Sequence, residues 1–411
     1  MSATEKPKDD GKVEWRPPDG DGWGEGSIQA RRARGDDIDA REWHTDAYEM
    51  RMRFGVPPFD ADAFGEYQIY PDRLIHEKPA EETSTAGGTD WLKVGERGCG
   101  KSTDNLNWAL RLMECNDERV IWRGATARSE WLPFADYATL WLPANADVAA
   151  RWVFEDGRGA ESVDADELEN VVRDVRYYDD VLDLIHELDE HPRGTFNVVY
   201  PDPAFEGCSD LTRRTSRTAE TLPFTAAWET DAGESGTPLT HWWFAFFLAR
   251  VEFADSSWWT SVMFDEAGEF CPDSVEQDEH RTYAKLLLFQ SVMIDSRREK
   301  LSFFATVHRE KQLHWRIREE FMTRVDMPDG TPNPRKRRAR SIPQGFKTVP
   351  MYADVMSKRK PGTALMYDES QFSLYKWTNI KGSAEGDRVL KFEFARPGDL
   401  GGEREVIRNA A

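Results

Sequence analysis

The segment GERGCGKST, residues 95–103, constrains the fold of this chain more than any other stretch. It fits the pattern G-x-x-x-x-G-K-[ST], in which glycines let backbone N–H groups turn inward around phosphate oxygens. The residues before it, DWLKV, predict a short strand, and STDNLNWALRLMEC after it places apolar residues at near-helical spacing. A strand, a glycine-rich loop and a helix in this order predict an α/β domain with a phosphate-binding site.

All residues of this loop are expected to surround a nucleotide. Lys101 would reach the β- and γ-phosphates, and the Ser102 hydroxyl would bind Mg²⁺. The alternative is a glycine-rich turn that Ser102 only caps. The candidate nucleotide contacts are Gly95, Glu96, Arg97, Gly98, Cys99, Gly100, Lys101, Ser102 and Thr103.

A second motif, SSWWTSVMFDEAGEF at residues 256–270, supplies the carboxylates that such a site requires. An apolar strand ends in two adjacent acids, so Asp265 is expected at the carboxyl edge of the sheet, where it can hold magnesium. Glu266 would accept a proton from the attacking water as the general base. The Glu beside the Asp favours ATP hydrolysis over GTP-driven switching, and no N-K-x-D guanine-recognition motif occurs in the sequence.

A third motif, SFFATVHRE at residues 302–310, predicts a further buried strand that ends in polar residues. In ATPases with an extra strand between the two nucleotide motifs, this strand carries a polar residue that senses the γ-phosphate or the catalytic water. Thr306 and His308 are the catalytic candidates, and the two-residue period of a strand puts both on one face. The alternative for His308 is a hydrogen-bonded histidine at a strand end.

Strands alternate with helices along much of the remaining chain. RVIWRG at 119–124 and TFNVVY at 195–200 predict strands, whereas residues 179–191 and 281–299 predict helices. This alternation predicts an α/β fold with a mainly parallel central sheet. Residues 145–235 are harder to place and form a possible insertion.

Taken in order, the motifs GERGCGKST, MFDEAGEF and ATVHREKQLHWRIREEFMTRVDM resemble those of the FtsK/HerA-type P-loop ATPases. This family, with a RecA-like core, includes DNA translocases and the genome-packaging or replication-linked ATPases of viruses and plasmids. After the sensor strand the family usually has Gln, Arg and Pro, whereas this chain has His308, Arg309 and Glu310. The resemblance covers about residues 88–330.

The resemblance implies ATP and Mg²⁺ as cofactors. It also implies a ring of subunits, commonly a hexamer, in which a neighbouring subunit supplies an arginine to the transition state. Arg297 and Arg298, at the end of the helix before the sensor strand, are candidates for this arginine, and so is Arg309. Alternatively, the Arg297–Arg298 pair only complements the helix dipole.

Charge and composition point to a salty environment. The chain has a net charge of −21, and only 16 of its 54 basic residues are Lys. Acidic side chains keep a surface hydrated when salt has screened its charges, so the composition favours a halophilic source over an ordinary acidic cytosolic enzyme. Together with the resemblance, this makes the chain look most like ATPases of haloarchaeal viruses, proviruses and plasmids.

The chain divides into three predicted parts. Residues 1–85 predict an acidic, largely disordered N-terminal arm, and residues 86–330 the P-loop ATPase core. Residues 331–411 predict a basic loop followed by a small β-rich C-terminal appendage. The basic loop could contact DNA phosphates, or it could be a solvated loop that balances nearby acids. The candidate DNA contacts are Arg335, Lys336, Arg337, Arg338 and Arg340.

Other sequence features bear on the compartment. The four cysteines show no paired spacing, which suggests neither a zinc site nor a disulfide framework. The first residues lack the apolar segment of a secretory signal, and the most apolar run, at 242–251, is too short to cross a bilayer as a helix. The sequence therefore predicts a cytoplasmic protein without stable membrane insertion.

These features predict an ATPase that works on double-stranded DNA during packaging, replication or mobilisation of an extrachromosomal element. Two alternatives stay open. One is a virion-assembly ATPase that acts on protein or membrane, and the other is a non-motor nucleotide switch with slow turnover.

Overall fold

A computed structural model describes ten parts of the chain. These are residues 47–57, 90–154, 159–228, 236–254, 259–275, 278–328, 359–368, 372–380, 388–400 and 407, apart from the side chains of Tyr48 and Phe372. Residues 1–46 of the predicted acidic arm and the basic cluster at 335–340 lie outside the described residues.

The described residues form helices and strands in alternation. The helices are α1 (Ala47–Phe54), α2 (Lys101–Asn116), α3 (Ala165–Val171), α4 (Val181–Glu190), α5 (Cys208–Arg214), α6 (Trp242–Glu252), α7 (Ala267–Phe270), α8 (Thr282–Ser296) and α9 (Trp315–Glu320). The strands are β1 (Trp91–Val94), β2 (Arg119–Arg123), β3 (Ala138–Pro143), β4 (Asp147–Phe154), β5 (Ala160–Val163), β6 (Asp174–Tyr178), β7 (Phe196–Val199), β8 (Thr260–Phe264), β9 (Leu301–Val307), β10 (Thr323–Asp326), β11 (Thr363–Tyr367), β12 (Phe372–Lys376) and β13 (Arg388–Ala395). Three short 3₁₀ helices, Leu132–Tyr137, Leu239–His241 and Glu310–Gln312, complete these elements.

Ten strands form one central sheet in the order β12-β11-β10-β1-β9-β8-β2-β7-β3-β6. All neighbours from β10 to β6 are parallel, and β11 and β12 add to the β10 edge in antiparallel pairs. The fold is thus α/β with a large, mostly parallel sheet, as the sequence predicts. Strand β9 lies between β1 and β8, so the strand that carries the third motif separates those that carry the first two.

Helices cover both faces of the central sheet, which explains why its strands are apolar on both sides. Trp122 and Phe304 belong to the core on the α2 face, whereas Ile121 and Phe303 belong to the core on the opposite face. That second core contains α6, which is apolar nearly all round and almost wholly buried. The side chains of β8 and β9 are buried along their entire length.

A second sheet is small and antiparallel, with the order β13-β4-β5. Leu390 of β13 pairs with Trp152 of β4, and this sheet packs into the core on the α2 face. The C-terminal strands are therefore divided between the two sheets. The possible insertion at 145–235 contributes β4 and β5 to the small sheet and β6 and β7 to the central one. The division into domains remains a prediction.

The helices within the described residues include none with the length and apolar character that crossing a bilayer requires. The most apolar of them, α6, has only 11 residues. Its hydrophobic side chains are buried between α4, α8 and the central sheet.

Asp90, directly before β1, provides a test of the core that does not depend on function. Its carboxylate accepts hydrogen bonds from the Phe303 N–H, at 2.7 Å, and from the Ser296 hydroxyl, at 3.3 Å. Burial raises the pKa of Asp90 to about 7, against an ordinary value of 3.8, although both hydrogen bonds lower it. The folded state therefore holds a proton that the unfolded state releases, and Asp90 costs stability as the pH rises from about 4 to about 7.

Asp90→Asn should therefore stabilise the protein more at pH 8 than at pH 5, because an amide carries no charge. Its oxygen can still accept from the Phe303 N–H, and its NH₂ can donate to the Ser296 hydroxyl oxygen, whose proton can go to the Met293 carbonyl oxygen. The difference in the free energy of unfolding between variant and wild type should grow by up to about 3 kcal/mol over this interval. Urea unfolding at both pH values measures it. Equal differences at the two pH values would show that Asp90 does not titrate in this range.

Candidate functional site

The three motifs meet at one edge of the central sheet. Strands β1, β8 and β9 are parallel, so the segments that follow them all leave from the same edge. The loop at 95–100 follows β1, Asp265 and Glu266 follow β8, and His308 follows β9. In open α/β sheets this carboxyl edge is the usual position of a ligand site.

The glycines of the loop allow backbone conformations and close contacts that a residue with a side chain would not. Gly98 and Gly100 have φ angles of 75° and 93°, in the left-handed region that favours glycine. A Cβ added at Gly95 would lie 2.6 Å from the Met327 Cβ, so the loop also approaches β10 closely at its start. Helix α2 begins directly after Gly100, and its first turn therefore presents free N–H groups and a positive dipole end to the loop.

Lys101 is folded into the loop. Its side-chain Nζ donates hydrogen bonds to the carbonyl oxygens of Gly95, at 2.7 Å, and Glu96, at 2.9 Å. It also lies 3.0 Å from His308 Nδ1. The ammonium group is thus at the centre of the loop, where an anion bound by the loop would meet it.

A buried polar network connects β1, α2 and β9 next to the loop. Lys93 of β1 forms an ion pair with Asp104 at 2.6 Å and donates to Asn105 Oδ1 at 2.6 Å. Burial lowers the pKa of Lys93, and Asp104 opposes that effect. Asn105 in turn donates to the Thr306 hydroxyl at 3.0 Å. Thr306 is 1% exposed. Its connection to the loop is therefore indirect, by way of its hydrogen bond with Asn105 in helix α2.

Asp265 and Glu266 occupy the turn between β8 and α7. Glu266 has a φ of 52°, a left-handed conformation that is uncommon for a residue with a side chain. Its N–H donates to Asp265 Oδ1 at 3.1 Å. Both carboxylates are partly exposed, at 17% for Asp265 and 28% for Glu266. A strained turn at a sheet edge is where functional residues are often held.

Two arginines that the sequence analysis did not select bind this turn. Arg123, the last residue of β2, donates to the Asp265 carbonyl oxygen at 2.6 Å and to Glu269 at 2.9 Å. Arg128 lies 2.5 Å from Glu266 Oε1 and 3.9 Å from Asp265 Oδ2. Because β2 is parallel to β8 and adjacent to it, its following segment reaches the same edge. The available signal was therefore an arginine at the end of a predicted strand and a second arginine shortly after that strand.

These neighbours set the charge of Glu266. Burial by itself would raise the pKa of Glu266, but Arg128, a hydrogen bond with Glu269 and the nearby His308 lower it below the ordinary value. Glu266 is therefore ionised at neutral pH and can accept a proton. His308 Nε2 lies 3.5 Å from Glu266 Oε1. His308 thus joins Lys101 on one side to Glu266 on the other.

The other arginine candidates lie in different places. Arg297 and Arg298 precede β9 and lie at the amino edge of the sheet, at the opposite end of the strands from the loop. The Arg298 side chain is 85% exposed. Arg309, after β9, lies 3.6 Å from Glu96 of the loop and is 74% exposed. Of these three arginines, Arg309 therefore lies beside the loop of the same chain.

The candidate ligands of a magnesium ion are few. Ser102 is in the first turn of α2, and the Asp265 side chain, in the turn after β8, is 17% exposed. Among the residues that the structure describes, no group of three or more His, Cys, Asp or Glu is arranged to hold a metal ion. One hydroxyl and one carboxylate fit Mg²⁺ that is held mainly by phosphates and water, the way in which proteins usually bind this ion.

A C-terminal segment lies along α2. The Tyr375 hydroxyl donates to Asp104 at 2.7 Å. Thr378 makes two hydrogen bonds with the Asn107 amide, at 2.8 and 3.1 Å. A Cβ added at Gly100 would overlap the indole ring of Trp377. Residues 375–380 therefore pack against the loop at 95–100 and the first two turns of α2.

Comparison with known proteins identifies similar architectures. No protein-family model and no curated protein matches the chain. The genome packaging NTPase B204 from Sulfolobus turreted icosahedral virus 2, in complex with sulfate, is 13% identical with a TM-score of 0.37, covering 70% of this chain and 96% of B204. VirB4 of Thermoanaerobacter pseudethanolicus is 11% identical with a TM-score of 0.36, covering 81% of this chain and 99% of VirB4.

A third solved structure is the pCW3 conjugation coupling protein TcpA, in its monomer form with ATPgS. It is 11% identical with a TM-score of 0.33, and the match covers 72% of this chain and 61% of TcpA. These likenesses concern the fold alone.

Proposed function

We propose that the chain is a Mg²⁺-dependent ATPase that moves double-stranded DNA during packaging or mobilisation of a haloarchaeal virus or plasmid. One observation carries the ATPase part. Lys101, His308 and Glu266, in this order, form a continuous chain of contacts across the carboxyl edge of the sheet, beside the glycine-rich loop at 95–100. This arrangement would bring an anion bound by the loop next to an ionised carboxylate, which supports hydrolysis of a bound nucleotide.

The residues divide the chemistry among them. The N–H groups at the start of α2 and the Lys101 ammonium would bind the β- and γ-phosphates of ATP. Ser102 and Asp265 would hold Mg²⁺, which when bound neutralises the charge that develops on the transferred phosphoryl group. Thr306 would act only through Asn105, as a residue that positions the loop.

Glu266 would receive the proton of the attacking water. The water oxygen attacks the γ-phosphorus in line with the β–γ bridging oxygen, the bond to that oxygen breaks, and ADP and phosphate result. Arg128 holds the Glu266 carboxylate at 2.5 Å and keeps it ionised. His308 contacts both Lys101 and Glu266. A change in the phosphates bound at Lys101 would therefore shift His308 and alter its contact with the base, Glu266.

The DNA part rests on different support. The order of the three motifs resembles that of DNA-translocating ATPases, and the sequence at 335–340 concentrates positive charge in an acidic chain. We propose that the protein forms a ring, with the hexamer that is common in the family as its form. An arginine of the next subunit completes each site of this ring. The exposed residues Arg297, Arg298 and Arg309 are the candidates for that arginine. The acidic composition fits work in the salty cytoplasm of a halophilic host.

The test is ATP turnover in high-potassium buffer with and without double-stranded DNA. DNA should raise the rate severalfold in the wild type. Neutralising the basic cluster, Arg335, Lys336, Arg337, Arg338 and Arg340, should remove most of this stimulation. The matched control neutralises Arg359 and Lys360, which are also exposed, and should retain it.

The other outcomes would each contradict the proposal. Turnover that DNA does not change would favour an assembly ATPase that acts on protein or membrane. A monomer with very slow turnover, whether DNA is present or absent, would favour a nucleotide switch. Stimulation that survives loss of the cluster would place the DNA contact elsewhere.

A further inference from the structure

The segment at 124–129 connects the end of β2 to the centre of the candidate site. Ala125 and Arg128 form a short antiparallel bridge, in which the Arg128 N–H donates to the Ala125 carbonyl oxygen at 3.2 Å. The segment therefore makes a tight turn directly after the strand. From this turn the Arg128 guanidinium reaches the carboxylates that follow β8.

Strand β13 of the small sheet holds this turn on both sides of Arg128. The Phe392 N–H donates to the Thr126 carbonyl oxygen at 2.9 Å. The Leu390 N–H donates to the Ser129 hydroxyl oxygen at 3.0 Å. Strand β13 is itself paired with β4 along its full length. The backbone at Arg128 is therefore fixed by a paired sheet, which is the kind of support that a precisely placed functional side chain requires.

Arg123 and Arg128 bind the turn after β8 in different ways. Arg123 is 7% exposed, donates to a backbone carbonyl oxygen and lies 4.7 Å from the centre of the Phe264 ring. Arg128 is 27% exposed, and its guanidinium lies among three carboxylates. These are Glu266 at 2.5 Å, Glu269 at 3.6 Å and Asp265 at 3.9 Å. Arg123 thus supports the turn, whereas Arg128 is a partly exposed cation beside the groups of the proposed chemistry.

Arg128 also lies close to the position proposed for the phosphates. It lines one cavity of about 800 Å³ together with Ser102, at the start of α2. The contacts of Glu266 and His308 connect its guanidinium to the Lys101 ammonium across the site. Carboxylates and phosphates are both acceptors that match the planar fork of a guanidinium. Arg128 can therefore exchange one kind of acceptor for the other by a movement of its side chain alone.

We propose that Arg128 is a catalytic arginine that acts on the nucleotide bound to its own chain. Its guanidinium leaves Glu266 and donates hydrogen bonds to the γ-phosphate oxygens, where it stabilises the negative charge of the transition state. The same movement frees Glu266 Oε1 for the attacking water. The proposal rests on the proposed function, because it assumes that the loop holds the triphosphate. It adds an arginine of the same chain to the one proposed for the next subunit.

Arg128→Gln and a matched control, Arg53→Gln, test this assignment in high-potassium buffer with magnesium. Arg53 also lines the cavity and also pairs with a carboxylate, that of Asp136, away from Glu266. In single-turnover hydrolysis at saturating ATP, Arg128→Gln should lower the rate by at least about a hundredfold. Arg53→Gln should lower it by no more than about threefold.

Binding measurements separate an action on the transition state from a structural role. Calorimetry should show that Arg128→Gln changes the affinity for ATPγS by no more than about threefold. Binding of ADP with aluminium fluoride, which imitates the transferred phosphoryl group, should weaken by at least about thirtyfold. Thermal unfolding checks that the fold persists. Arg128→Lys keeps a cation beside the carboxylates and replaces Arg128→Gln if that variant unfolds. It should still lose at least about tenfold in rate, because an ammonium lacks the planar pair of donors.

Mixed assemblies show which nucleotide Arg128 serves. Chains with Arg128→Gln and chains with Lys101→Ala carry different tags, are co-expressed and are purified through both tags. The Lys101→Ala chain has an intact Arg128, so it would restore turnover at a neighbouring site if Arg128 acted on the next subunit. The mixed assemblies should instead stay below about a tenth of wild-type turnover. If no mixed assemblies form and the wild type hydrolyses ATP as a monomer, the arginine also acts within its own chain.

Three results would overturn the proposal. The first is restored turnover in the mixed assemblies, and the second is an Arg128→Gln rate within about threefold of the wild type. The third is an equal loss of affinity for ATPγS and for ADP with aluminium fluoride, because a structural role weakens both. None of these results would contradict the proposed function. Wild-type protein that neither binds ATPγS nor hydrolyses ATP would contradict the proposed function itself, and this inference with it.

Discussion

Glu266→Gln is expected to lower ATP turnover by at least about a hundredfold while ATP binding is retained. The amide has the shape of the carboxylate but cannot accept the proton of the attacking water. The wild-type carboxylate is ionised and so free to accept a proton, because Arg128, a hydrogen bond with Glu269 and the nearby His308 hold its pKa below the ordinary value. Single-turnover hydrolysis and equilibrium binding of ATP, measured on the same preparation, separate the two effects.

Glu269→Gln is the matched control for this prediction. Glu269 belongs to the same cluster, since it binds both Arg123 and Arg128, and it is 46% exposed. Its replacement changes the local charge by the same amount, but it should reduce turnover by no more than about tenfold. If both variants lose turnover equally, the negative charge of the cluster matters and Glu266 is not the base. If Glu266→Gln keeps wild-type turnover, the assignment of the base is wrong.

Lys101→Ala is expected to weaken binding of ATPγS by on the order of ten- to a hundredfold, and to abolish measurable turnover. The ammonium group lies inside the loop, on the carbonyl oxygens of Gly95 and Glu96. It can exchange these carbonyl oxygens for phosphate oxygens, which carry more negative charge and form stronger hydrogen bonds. Alanine removes both the cation and its contacts with the loop carbonyl oxygens.

Calorimetry with ATPγS and with tripolyphosphate measures this effect, and both ligands should weaken together because both depend on the loop. Lys311→Ala serves as the control, because Lys311 is an exposed lysine after β9 and outside the contacts of the loop. Unchanged affinity of Lys101→Ala for both ligands would show that phosphates bind elsewhere.

Much of the architecture could be predicted from local pattern. The helix expected at 102–115 is α2, Lys101–Asn116, and the helix expected at 281–299 is α8, Thr282–Ser296. The strand expected within 302–310 is β9, Leu301–Val307. These elements are long or strongly apolar, so their side-chain periods are clear within a few residues. The mainly parallel sheet followed from their alternation and is confirmed.

Part of the site could be predicted as well. Asp265 and Glu266 come directly after an apolar strand, and in a parallel sheet the ends of such strands share one edge with the loop after β1. The two-residue period also predicted that Thr306 and His308 face the same side, and both contact α2 residues. Their roles in catalysis remain predictions, as do those of Arg297, Arg298 and Arg309.

The sequence by itself determined the local elements and the order of the motifs, because backbone preference and hydrophobic period act over a few residues. Only the tertiary structure decided which distant residues meet. It placed Arg128 against Glu266 and Thr306 behind Asn105. It also brought Trp152, Ile380 and the start of α2 around one cavity. Such contacts depend on how whole strands and helices pack, and no local pattern of residues encodes that packing.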